Sequence, residues 1–191
     1  MDISALFSFL SVAERLKCNT RHCDTTSGRR ESVAEHSWRL ALMAWLVRDE
    51  FPELDIDRVI LMCLTHDLGE AITGDIPTFD KTKADEQTEG EAVRALFATL
   101  PAPQGSELTA IFDEIDAQQT AESRLFRALD KFEAVMQHNE SDIASWLPLE
   151  YDLQLAYGER EADAFPYTRA LKDALNAWTR KKIAESKRQE E

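Results

Sequence analysis

Glycine and proline are scarce, six of each in 191 residues. So few chain breakers exclude a collagenous or low-complexity protein and leave room for long, uninterrupted helices. No run of 18 apolar residues occurs, which excludes a hydrophobic membrane span. Positive charge is also short: 22 Lys and Arg stand against 36 Asp and Glu, a net charge of -14. A field of that sign repels nucleic acid and anionic membranes, so neither is an expected partner. Cys18, Cys23 and Cys63 are odd in number, lack CxxC spacing and follow no signal-peptide pattern. The expected compartment is therefore the reducing cytoplasm. A zinc corner built from Cys18, His22 and Cys23 is disfavoured, because such sites bring paired spacings.

What the chain has is apolar residues, 43% of the total, recurring at helical spacing with little strict alternation. The expectation is an all-α fold: one globular domain over 1–191, about seven or eight helices, and a charged tail at 180–191. The first helix is expected from Asp2 to Lys17, with Ile3, Leu6, Phe7, Leu10 and Ala13 on one face. It leads into the polar loop NTRHCDTTSGRR. A second helix opens on the capping box Ser32 to Glu35 and stops near Pro52, and a third is nucleated at Asp55 and ends between Leu68 and Gly74. Further helices are expected over 83–100, from a Ser106 cap, from Thr120 to His138 and from about Tyr167, while 149–158 is ambiguous. Trp38 and Trp45 read as packing residues.

Several polar residues interrupt these apolar faces. His36 shares its face with Val33, Leu40, Met43 and Val47, so it points inward; alone, it reads as a core histidine satisfied by one hydrogen bond. His66 repeats the pattern behind Val59 and Cys63, and Asp130 sits one turn from both Phe126 and Ala134. A buried carboxylate without a partner costs several kcal/mol. Two inward imidazoles and an inward carboxylate from three helices, with Asp67 beside His66, form the ligand set that a divalent Mn, Fe, Co, Ni or Zn ion in a helical bundle requires. Glu70, one turn after His66, stands where a group passing protons to or from water near such an ion belongs. Gly74 suggests a tight turn that brings Asp75 back over the same opening.

The stretches ESVAEHSWRLALMA, THDLGEAITGDIP and ALDKFE together resemble the three signatures of HD-domain metal-dependent phosphohydrolases, over roughly residues 1 to 140. The resemblance implies that His36, His66, Asp67 and Asp130 hold a divalent cation and that Glu70 and Asp75 are the catalytic acids. The branch it is most similar to, the 5′-deoxynucleotidases, implies hydrolysis of deoxynucleoside 5′-monophosphates by homodimers using Mn or Co. It also implies phosphate and sugar contacts from the loop after the first helix, where Arg21 is the first choice, Arg30 the second and His22 a further contact. One departure stands out: that branch often follows this Arg with a Trp that crowds out a ribose 2′-hydroxyl, and here Arg21 is followed by His22. Discrimination between the two sugars is therefore open. Two alternatives stay in view: an HD hydrolase of a nucleoside triphosphate or signalling nucleotide, and a non-catalytic metal-binding interaction protein.

Overall fold

The computed structural model describes residues 1–189, and the last two residues of the charged tail, Glu190 and Glu191, lie outside them. The order is α1 (Ile3–Ala13), β1 (Thr20–Asp24), β2 (Arg30–Ser32), α2 (Val33–Leu46), α3 (Ile56–Thr65), α4 (Glu70–Thr73), α5 (Lys83–Phe97), α6 (Gln104–Ala117), α7 (Ala121–Glu140), α8 (Glu150–Ala156), α9 (Glu159–Ala162) and α10 (Pro166–Gln189). The fold is mostly helical, as the periodicity requires. No helix among the described residues is long and apolar enough to cross a membrane.

Local chemistry sets the boundaries around the cavity described below. The Ser32 hydroxyl accepts from Glu35 N at 3.2 Å while Glu35 accepts from Ser32 N at 2.9 Å, closing the capping box that starts α2. Asp55 caps α3 by accepting from Arg58 N at 3.0 Å. The chain then tightens, with i to i+3 bonds from Leu68 N to Thr65 O and from Glu70 N to Asp67 O. This turn fits because residue 69 is glycine: a Cβ there would lie 2.9 Å from the Glu89 carbonyl oxygen of α5. Gly74, at φ +81°, then reverses the chain after α4.

The core gathers on α7. Leu125, Phe126 and Leu129 of α7 pack with Leu40 and Ala44 of α2 and with Val59, Met62 and Cys63 of α3. Phe132 and Val135 carry the packing on to Leu175 of α10. Each fully buried side chain of this size contributes about 1.5–3 kcal/mol.

Four sequence expectations are corrected. The loop after α1 is a hairpin, in which β1 carries five residues against three on β2, so Arg21 to Cys23 bulge between the paired ends. The face of α1 that packs is Phe9, Val12 and Ala13, whereas Ile3, Leu6, Phe7 and Leu10 stay exposed. Trp38 and Trp45 likewise point outward. Ser106 lies inside the first turn of α6, its hydroxyl donating back to Pro103 O. The segment left ambiguous is α8.

Candidate metal and phosphate site

His36 enters from the first turn of α2, His66 and Asp67 from the tight turn after α3, and Asp130 from the middle of α7. Their atoms converge at the floor of a cavity of about 820 Å³. His66 Nε2 lies 3.0 Å from Asp67 Oδ2 and 3.6 Å from Asp130 Oδ1. His36 Nε2 lies 3.1 Å from Asp130 Oδ1 and 4.0 Å from Asp67 Oδ2. Neighbouring ligands on an ion at about 2.1 Å stand about 3 Å apart, so this spacing suits one cation.

Each imidazole uses its other nitrogen outside the cluster. His66 Nδ1 donates to the Cys63 carbonyl at 3.0 Å, and His36 Nδ1 meets the Glu133 carboxylate. In a neutral ring Nε2 is then a lone pair aimed at a carboxylate oxygen, a repulsive pairing unless a proton or a metal ion lies between. The electrostatics agree. Burial works to lower His66, but the Asp67 and Asp130 carboxylates overcome it and hold its proton up to about 10. Burial likewise works to raise Asp67, and the charge on His66 pulls it down to about 2. The two imidazoles are thus held towards protonation and the two carboxylates towards ionisation, each by the charge of the other pair. His36, His66 and Asp67 form a group that could hold a divalent transition metal, and Asp130 Oδ1, 3.1 and 3.6 Å from the two imidazole nitrogens, completes a fitting donor set.

Glu70 opens α4 on the same wall. It is buried, its Oε2 has no hydrogen-bond partner, and Lys81 Nζ lies 3.8 Å from Oε1. Burial, then Asp67, Asp75 and Glu89, push its carboxyl up to about 10. Asp75 lines the same cavity beyond Gly74, and burial together with Asp67 raises it as well, against the pull of Arg21.

Of the hairpin residues, Arg21, His22 and Cys23 line the cavity. Arg21 Nη1 meets Glu31 at 3.2 Å and Glu133 at 3.4 Å. His22 stacks edge-on to Phe79, with ring centroids 5.3 Å apart, and its buried Nε2 has no hydrogen-bond partner. Arg30 is not brought there. Its side chain is half-exposed and faces Asp24 at 3.6 Å, because the residues pairing at the hairpin end splay away from the bulge. Cys18, Cys23 and His22 do not gather into a group that could hold a metal among the described residues.

Sequence reasoning missed Glu31, Glu133, Lys81 and Glu89. A signal existed for Glu133: it continues the buried Phe126, Leu129, Gln137 stripe of α7, where a carboxylate demands a partner.

A sequence profile described as HD domain matches residues 13–169. Human 5′-deoxynucleotidase HDDC2 is 34% identical over 114 residues, 59% of this chain and 55% of that protein. The chain thus spans about half the length of the curated relatives it first matches. The Schizosaccharomyces pombe 5′-deoxynucleotidase hdd1 is 28% identical over 141 residues, 70% of each chain. Among solved structures, a predicted metal-dependent phosphohydrolase from Magnetospirillum magnetotacticum is similar, with TM-score 0.73, 33% identity and coverage of 92% of this chain and 93% of its own.

Proposed function

Because the chain belongs to the HD-domain family of metal-dependent phosphohydrolases, we propose that it hydrolyses (deoxy)nucleoside 5′-monophosphates to nucleoside and phosphate. The observation that carries this reading is the meeting of His36, His66, Asp67 and Asp130 at the floor of the cavity, beside a buried Glu70 whose Oε2 has no partner. The names of the relatives at HDDC2 and hdd1 supply the nucleotide.

His36, His66, Asp67 and Asp130 would hold a divalent cation, such as Mn or Co. When bound, such an ion neutralises phosphate charge and makes water a better nucleophile. Glu70, buried with Oε2 unpartnered, would take the proton of the attacking water. Asp75, whose carboxyl the cavity raises, supplies a proton to the departing 5′ oxygen. Arg21 neutralises the remaining phosphate charge. His22, whose Nε2 faces Glu150 Oε1 at 3.7 Å, stands in place of the bulky ring that would bar a 2′-hydroxyl. The outward apolar face of α1, formed by Ile3, Phe7 and Leu10, supports the homodimer implied by the family.

The test is phosphate release from a panel of ribo- and deoxynucleoside mono- and triphosphates, with elemental analysis of the same protein. Monophosphates are expected to turn over, and Asp67→Ala is expected to lose both the bound metal and the activity. An Asp67→Ala protein that keeps both overturns the assignment. Release from triphosphates alone moves the reading to the triphosphate hydrolases.

A further inference from the structure

Glu133 lies three residues after Asp130 on α7, and its side chain is fully buried. A lone carboxylate there would be several kcal/mol too costly, and its surroundings explain how it is kept. Its Oε2 meets His36 Nδ1 and, at 3.4 Å, Arg21 Nη1, while Oε1 faces Arg39 Nε at 3.3 Å. Arg21 is shared with Glu31, which also accepts from Cys23 Sγ at 3.3 Å. Arg21 and Arg39 thus compensate Glu31 and Glu133 beneath the cavity floor, Arg39 pairing also with Glu140 at 2.6 Å. Glu133 Oε2 can only accept, so the Nδ1–H of His36 is the donor in this layer.

That assignment has a geometric consequence. With Nδ1 donating to Glu133, the lone pair on Nε2 is turned into the cluster with Asp67 and Asp130. His66 achieves the same through a backbone carbonyl, Cys63 O. Only the His36 support is a side chain. The same Glu133 oxygen also anchors Arg21, so one carboxylate fixes the spacing between a metal-facing imidazole and the cavity arginine.

Resting on the reading of the site given above, we propose that Glu133 is a positioning residue that sets the tautomer and orientation of His36 and the placement of Arg21 through a single shared oxygen. It does not touch substrate or ion. Removing such a support behind an imidazole ligand costs roughly 10–100-fold in metal affinity.

The experiment compares wild type, Glu133→Gln and Arg39→Gln by Co²⁺ titration of metal-stripped full-length protein, thermal unfolding, and steady-state phosphate release at saturating metal. Glu133→Gln keeps the shape but removes the charge and one acceptor oxygen, leaving at most a neutral carbonyl for His36 and Arg21 with an NH2 turned on Arg39. It is expected to weaken Co²⁺ binding roughly 10–100-fold and to raise KM, because Arg21 shifts. Arg39→Gln disturbs the same buried layer without touching His36 or Arg21. It is expected to lower the unfolding temperature and leave Co²⁺ affinity unchanged. Equal Co²⁺ affinity in wild type and Glu133→Gln overturns the proposal, and so does an Arg39→Gln loss as large as that of Glu133→Gln. Wild-type protein that binds no Co²⁺ sinks the reading of the site, and this proposal with it. If Glu133→Gln fails to fold, the Zn²⁺-loaded wild type decides: a hydrogen-bonded Nδ1–H signal from His36 in ¹⁵N-edited spectra supports the proposal, and a His36 ring carrying its proton on Nε2 overturns it.

Discussion

On its inward face α2 buries His36 and Ser37 beside Leu40 and Ala44, whereas on its outward face Trp38, Leu42 and Trp45 remain 64%, 41% and 48% exposed. The two faces invert the usual sorting of polar and apolar side chains. Burial of His36 is possible because Glu133, Asp130 and Asp67 surround it. Among the described residues, no element covers the outer stripe. Polarity alone therefore decides neither case; the availability of a partner does.

The sharpest way to break this contrast is to alter the inward polar wall. Glu70→Ala is expected to keep the bound metal while turnover falls by about 10²–10⁴-fold, the range for loss of a general base or acid. Metal analysis and initial rates measure it, and parallel loss of both would make Glu70 a ligand. Next comes the packing on the two faces. Leu40→Ala removes a fully buried side chain and is expected to cost about 2–5 kcal/mol, whereas Leu42→Ala on the outer stripe stays within about 0.5 kcal/mol. Urea unfolding of the two variants gives the difference, and equal losses would show that the outer stripe is covered.

The smallest effect probes another buried charge, Lys172 of α10, whose Nζ donates to Gln154 O at 3.0 Å. Burial lowers it from its ordinary 10.5 to about 8. Its folded value lies below its unfolded one, so across the window from about 8 to 10.5 the unfolded chain holds a proton that the folded chain has released. Stability then rises with pH through that window and is lost as pH falls back towards 8. Lys172→Met is expected to abolish the rise, read from urea midpoints at a series of pH values. A wild-type midpoint that is flat across the window contradicts the placement of Lys172.

Much of the inward wall was legible in the chain itself. The Ser32 and Glu35 box marks the start of α2 through bonds that are local in sequence, and from there the helical period directs His36 inward. Asp130 was legible for the same reason. The hairpin was not, because strands of five and three residues carry too little alternation to outweigh a polar composition. The α1 face was misjudged because periodicity says which residues share a side but not which side meets a neighbour. Arg30 ranked second to Arg21 as a phosphate contact, and the bulge of β1 is what sets the two apart in space.

By itself, the sequence determined the helical class, the caps and which polar residues share apolar faces, since these follow from backbone geometry over a few residues. Only the tertiary structure decided that His36, His66, Asp67 and Asp130 meet at one point, that Glu133 stands behind His36, and that the tryptophans face outward. The physical reason is range: hydrogen bonds and helical period act within a turn or two, whereas convergence depends on how α2, α3 and α7 pack across the core.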